Sequence, residues 1–215
     1  AARCAPEPPH AGGAFTVRFD RVLVALGRSP RVHGYGLEEL GLVAADEDTL
    51  EVDARLRTRM PSIFACGDVA GPHQFTHAGA HQAWHATVNA LFGDFKSFAA
   101  EYGCLPWCVF TDPEVARVGL NEDEARARRV DHEVTRLDLG TFDRALIEDE
   151  AHGFVKVLTA PGSDRILGVT IVGGAAGEML PEFVLAMRHG LGLGRILATI
   201  HAYPTWNDAN KLTAG

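Results

Sequence analysis

Three stretches of the 215-residue chain carry side chains whose types and spacing could do chemistry. Thr199-Ile-His-Ala-Tyr-Pro-Thr-Trp-Asn-Asp-Ala-Asn-Lys211 gathers His201, Tyr203 and Asp208 around a proline-stiffened turn, and such a group can move protons. An equally good reading of the same residues is a C-terminal loop in which Thr205 caps a short helix. In Ile63-Phe-Ala-Cys-Gly-Asp-Val-Ala-Gly-Pro72 a short apolar run delivers Asp68 beside Gly67, where a carboxylate can accept hydrogen bonds from ligand hydroxyls and the glycines let a ligand approach the backbone. The competing reading is an Asp that caps the next turn. The helix start that follows, Phe75-Thr76-His77-Ala78, offers free N–H groups and a positive dipole end to a carbonyl or phosphate. The third stretch, Thr111-Asp-Pro-Glu-Val-Ala-Arg-Val-Gly119, reads by itself as a turn.

Two further groups invite a chemical reading. His73, His77, His81 and His85 recur every fourth residue. Steps of four advance ~40° around a helix, so adjacent pairs on this stripe could chelate Zn²⁺ or Ni²⁺. No Cys or carboxylate completes the set in sequence, and no metal ligand is assigned. Cys104 and Cys108 flank Pro106 on an expected strand. Four residues at ~3.3 Å each separate their α-carbons by about 13 Å, beyond the ~7 Å a disulfide spans. Neither Gly173-Gly-Ala-Ala-Gly177 nor Gly190-Leu-Gly-Leu-Gly194 has the spacing of a dinucleotide fingerprint.

These residues need elements to position them. Residues 1–14, with Pro6, Pro8 and Pro9, read as a loop or tail. Phe15–Phe19 alternates, and Arg21–Leu26 is a continuous apolar run, which predicts a half-buried strand and then a fully buried one. A short helical piece over Leu37–Leu40 and strands at Thr49–Asp53 and Ile63–Cys66 follow. The Ala-rich, proline-free stretch from Thr76 to Phe92 predicts a helix. After the linker GDFKSFAAEYG the pattern becomes α+β. Strands are expected at Leu105–Phe110, Val134–Leu139, Gly153–Leu158 and Ile166–Val172, and helices at Asn121–Arg129, Ala176–His189 and Leu193–Ala198. Acidic residues exceed basic ones by 28 to 20, a net charge of −8, which disfavours nucleic acid as a partner. No apolar run reaches the ~18 residues of a membrane span. Four cysteines do not make a secreted disulfide framework, so a cytoplasmic, reducing compartment is expected. The chain opens on Ala1 and its first Met is Met60, so truncation by processing, proteolysis or cloning is an expectation.

In their order and spacing, LVALGRSPR, IFACGDVAG, TDPEVARVGL with the AGEM stretch at Ala176, and HAYPTWND resemble the class I pyridine nucleotide-disulfide oxidoreductases. These flavoenzymes include dihydrolipoamide dehydrogenase, glutathione reductase and mercuric reductase. The resemblance covers the chain from Phe19 onward. It implies an α+β interface domain with an antiparallel sheet and flanking helices over 101–215, preceded by the end of an NAD(P)-binding domain (1–60) and a returning segment of an FAD-binding domain (61–100). It implies that Gly67 and Asp68 meet the FAD ribityl or pyrophosphate region and that Thr76 and His77 face the flavin pyrimidine. It further implies a homodimer through 101–215, in which the C-terminal loop of one subunit completes the other's active site. The family's GxGxxG motifs and Cys-x4-Cys pair are not in this chain. The parent would use FAD and NAD(P)H, while this chain is expected to hold neither stably and to be inactive alone. Where disulfide-reducing members place His and Glu around Pro-Thr, this chain has Tyr203 and Asp208, with His201 as a substitute base. A tyrosine of pKa ~10 is a poor base near pH 7, and Tyr203 resembles the mercuric-reductase branch. Two alternatives remain: a non-catalytic dimerisation module, or a metal-binding module using the histidine stripe.

Overall fold

The computed structural model describes residues 2–4, 15–42 and 49–215. Its main body is a five-stranded, wholly antiparallel sheet in the order β3-β4-β7-β6-β5. The strands are β3 (Trp107–Val109), β4 (Glu114–Gly119), β5 (Glu133–Asp138), β6 (Phe154–Thr159) and β7 (Ile166–Gly173). Period-two alternation sorts the two faces. Ala116, Val118, Val155, Val157, Val169 and Ile171 are all fully buried. The register sets Trp107 against Arg117, Arg117 against Thr170, Thr170 against Lys156 and Lys156 against Arg136, one row across the opposite, polar face.

Helices α4 (Ala176–Arg188) and α6 (Asp208–Ala214) cover the apolar face, α4 over β4 and β7 and α6 over β5 and β6. Phe183, Met179, Ile196 from α5 (Leu193–Leu197) and Ala209 complete this core. On the polar side α2 (Glu122–Ala127) starts with a capping box. The Asn121 side chain accepts from Glu124 N, and the Glu124 carboxylate accepts from Asn121 N, so two otherwise unpaired donors are satisfied. Lys156 Nζ donates to Glu122 Oε1 at 2.6 Å and ties that helix to the sheet. Gly119 ends β4 at a φ of 68° opposite Gly168, where a Cβ would collide with the backbone of Leu167 and Gly168.

Helix α1 spans Thr76–Phe92, as its composition predicts. Its inner face is largely polar: Gln82 and Asn89 are buried beside Ala78, His85 and Ala86. Gln82 Oε1 accepts from Gly67 N at 2.7 Å and its Nε2 donates to Tyr102 Oη at 2.9 Å. Asn89 exchanges hydrogen bonds with Phe98 and donates to Arg55 O. A second apolar cluster, Val32, Leu37, Leu42, Leu50, Ala65 and Ala70, sits in this earlier part.

Several expectations need correction. Arg21–Leu26 is neither a strand nor buried: Leu23 is 91% and Leu26 95% exposed. An apolar run becomes a buried strand only between hydrogen-bonding neighbours, and no described strand lies beside this one. Thr49–Asp53 keeps its alternating burial without ladder bonds, and Ile63–Cys66 is reduced to one bridge, Arg57 with Phe64, leaving Cys66 exposed. Leu37–Leu40 is a turn. Ala2–Cys4 (β1) pairs with Phe15–Val17 (β2) where a tail was expected, and residues 5–14 of that tail lie outside the described residues. β4, expected as a turn because of Asp112-Pro113, is a central strand, the turn being confined to the residues before Glu114. The short helix α3 (Asp143–Ile147) has no counterpart in the expected elements. Among the described residues no helix is long and apolar enough to cross a membrane.

Candidate functional site

The first candidate region is the turn at Gly67-Asp68 and the start of α1. Gly67 takes a φ of 80°, with open space where a Cβ would stand. On its other side Gly79 of α1 packs so tightly that a Cβ there would lie 3.2 Å from Gly67 Cα. Two glycines therefore bring the turn against the helix. The Asp68 side chain is one-third exposed, and its nearest cation is Arg28 at 3.9 Å. Phe75, which precedes α1, supplies no side-chain cap, so the first-turn N–H groups remain available. Thr76 and His77 line a cleft of about 870 Å³ with Arg28, Trp107, Cys108 and Leu180. His77 Nε2 lies 2.7 Å from the Pro106 carbonyl oxygen, which locks the helix start to the approach to β3.

The second region is the C-terminal loop. Tyr203 is exposed and donates its hydroxyl proton to Asp143 Oδ2 at 2.7 Å. The Asp143 carboxylate that accepts this proton holds the phenol above its ordinary pKa, with smaller contributions from burial and Asp208. Asp208 is the first residue of α6, where its charge suits the helix dipole. Thr205 does not cap that helix: its hydroxyl donates to Ala202 O, and Asn207 precedes Asp208. His201 points inward with 7% of its side chain exposed. Its Nε2 lies 2.8 Å from Glu182 Oε1 and its Nδ1 3.1 Å from Thr199 O. Both partners are hydrogen-bond acceptors. Glu182 Oε2 accepts in addition from Asn210 Nδ2 at 2.9 Å. Trp206 Nε1 donates to Glu148 Oε2 at 2.9 Å, and that bond, with the nearby Arg144, lowers the Glu148 pKa.

The histidine stripe is not assembled as a chelating set. His73 packs on Tyr102, His77 bonds to Pro106 O and His85 Nδ1 faces His81 O, so only the His81 and His85 rings meet, at 4.2 Å between centroids. Burial lowers the His81 pKa, helped by His85 and Arg188. Cys66, Cys104 and Cys108 are free thiols, and burial, with Glu114 nearby, raises that of Cys108. Sequence reasoning missed Asp143, Glu148, Glu182 and Asn210. Tyr203 and Asp143 are 60 positions apart, a separation no local pattern bridges.

The antiparallel sheet backed by α4 and α6 makes this an α+β interface domain. Residues 105–214 match the family model for the pyridine nucleotide-disulphide oxidoreductase dimerisation domain, and residues 10–87 match that for pyridine nucleotide-disulphide oxidoreductase. The chain belongs to this family of oxidoreductases, whose cofactors are FAD and NAD(P)H. It is 35% identical over 198 residues to a dihydrolipoyl dehydrogenase of Buchnera aphidicola, covering 92% of this chain and 41% of that protein. It is 37% identical over 209 residues to a mitochondrial dihydrolipoyl dehydrogenase of Dictyostelium discoideum, covering 97% and 42%. Among solved structures, LpdA from Mycobacterium tuberculosis superposes with a TM-score of 0.79 at 27% identity, over 86% of this chain and 40% of that one. The flavoprotein disulfide reductase RclA from Escherichia coli gives 0.81 at 26%, over 94% and 45%. The chain thus spans well under half the length of these relatives.

Proposed function

We propose that the chain is the C-terminal part of an FAD-dependent NAD(P)H oxidoreductase that works in the cytoplasm. In this reading residues 1–60 end the NAD(P)-binding domain, 61–100 are the returning FAD segment and 101–215 form the dimerisation domain. The observation that carries it is the open glycine turn with an accessible carboxylate, packed against α1, whose uncapped start lines the cleft. That donor and acceptor set fits FAD. Asp68 would accept hydrogen bonds from ribityl or other hydroxyls, with Gly67 admitting the ligand to the backbone, while Thr76 and His77 would present the helix N–H groups to the flavin pyrimidine. Bound FAD would supply two-electron transfer between nicotinamide and acceptor.

The C-terminal loop would face the acceptor, with Tyr203 presented to it, Asp208 starting the helix behind and His201 held on Glu182 as the loop's anchor. Tyr203 in the place of the family's His supports a mercuric-reductase-like branch. The Buchnera and Dictyostelium relatives are dihydrolipoyl dehydrogenases and lend that branch no support. Without GxGxxG motifs or a Cys-x4-Cys pair, the chain has no electron path of its own, and its activity as isolated would be assembly into a homodimer through 101–215. Incubating the purified chain with FAD and NADH or NADPH tests this, alongside sedimentation equilibrium. The expected result is a dimer with weak or no FAD retention and no steady nicotinamide oxidation. Sustained oxidation, or a monomer at all concentrations, would refute it.

A further inference from the structure

We propose that Asp143 is the positioning residue for Tyr203, so that a phenol pinned from α3 takes the place of an acid-base pair formed within the C-terminal loop. The proposal rests on reading that loop as the acceptor-facing loop. The geometry comes from two ties between the same elements: Tyr203 Oη to Asp143 Oδ2 at 2.7 Å and Trp206 Nε1 to Glu148 Oε2 at 2.9 Å. Asp143 opens α3 and Glu148 follows its last residue, so the loop is fastened at both ends of one short helix. Arg144, the cation on α3, is engaged by Glu148. Asp208, the other acid near the phenol, begins α6.

The chemistry follows from the hydrogen-bond inventory. A tyrosine has one proton to give, and here it goes to Asp143. What Tyr203 keeps for an incoming group is lone pairs on oxygen. The site therefore receives a hydrogen-bond donor at this atom, such as a thiol, alcohol or ammonium, and offers no donor to a thiolate or carboxylate. The raised phenol pKa agrees with this, since two carboxylates oppose its ionisation.

N-acetyltyrosinamide in the same buffer serves as the reference phenol, ~10. Tyrosinate absorbance is titrated on wild type, Tyr203→Phe, Asp143→Asn and Asp208→Asn. Subtracting the Y203F curve isolates Tyr203, which should ionise at higher pH than this reference. D143N should bring its midpoint down toward an ordinary phenol, ~10, while D208N leaves most of the shift. The Tyr203 ring ¹³Cζ resonance at neutral pH should move in D143N and stay in D208N. A Tyr203 midpoint at or below that of the reference phenol in wild type overturns the proposal without any aspartate variant. So does loss of the shift in D208N alone. Neither measurement uses FAD or nicotinamide, so this result stands apart from the cofactor tests of the functional reading.

Discussion

Gly168→Ala should be among the most damaging single-methyl changes in the molecule. A Cβ at this position would overlap the carbonyl oxygen and amide nitrogen of Leu120 and stand 2.7 Å from its carbonyl carbon. All three are backbone atoms, so no rotamer change relieves the clash. β4 and β7 must part by about an ångström at the point where Leu120 N donates to Leu167 O at 3.0 Å. Overpacking of this kind costs ~1–3 kcal/mol, and the strained hydrogen bond adds ~1 kcal/mol, for a total of about 2–4 kcal/mol. That corresponds to a fall of roughly 10 °C in Tm for a unit of this size. The control is Gly103→Ala, where no atom lies within 4 Å of the new methyl and a neutral or slightly stabilising result is expected. Urea unfolding followed by far-UV circular dichroism, with the slopes compared, measures both. A G168A protein within ~0.5 kcal/mol of wild type would show that the close approach of the two strands is not a constraint on the sequence.

The Lys156 ion pair gives a pH signature. Its ammonium lowers the Glu122 pKa, chiefly through their hydrogen bond, so the stabilisation is present above the unfolded carboxyl pKa and is lost as pH falls through the lower, folded one. Lys156→Met should cost on the order of 0.5–1 kcal/mol at pH 7, with the deficit closing as the pH drops below ~4. A deficit of equal size at pH 3 would assign the effect to packing. Leu23→Lys combined with Leu26→Lys, at positions 91% and 95% exposed, should leave Tm within about 2 °C and reduce concentration-dependent light scattering. A large drop in Tm would mean that these side chains are packed in solution.

The interface domain was legible because its signals are local. Alternating apolar residues mark β6 and β7, acids followed by arginines over Asn121–Arg129 mark α2, and the alanine-rich stretch marks α1 to the residue. The earlier part was misread for one physical reason. Apolar runs such as Arg21–Leu26 report a preference for burial, and burial requires strands that the described residues do not supply. The site divided in the same way. Gly67, Asp68 and the α1 start are close in sequence, and the turn packs on the helix. Within the loop, spacing suggested Tyr203 with Asp208, whereas the phenol reaches across to α3 and His201 turns to α4. Contacts 60 and 19 positions apart depend on how helices pack, which no periodicity in the loop encodes.

The unpaired apolar run also determines how the molecule will meet a protease. Residues 18–29 are exposed throughout and free of regular structure, so this segment can enter a cleavage cleft in extended form without local unfolding. Val32, buried at 1% exposure, begins the first apolar cluster beyond it. Brief digestion should therefore shorten the chain to a resistant product starting near residue 30, with both apolar clusters intact, and that trimmed species is the natural one for crystallisation.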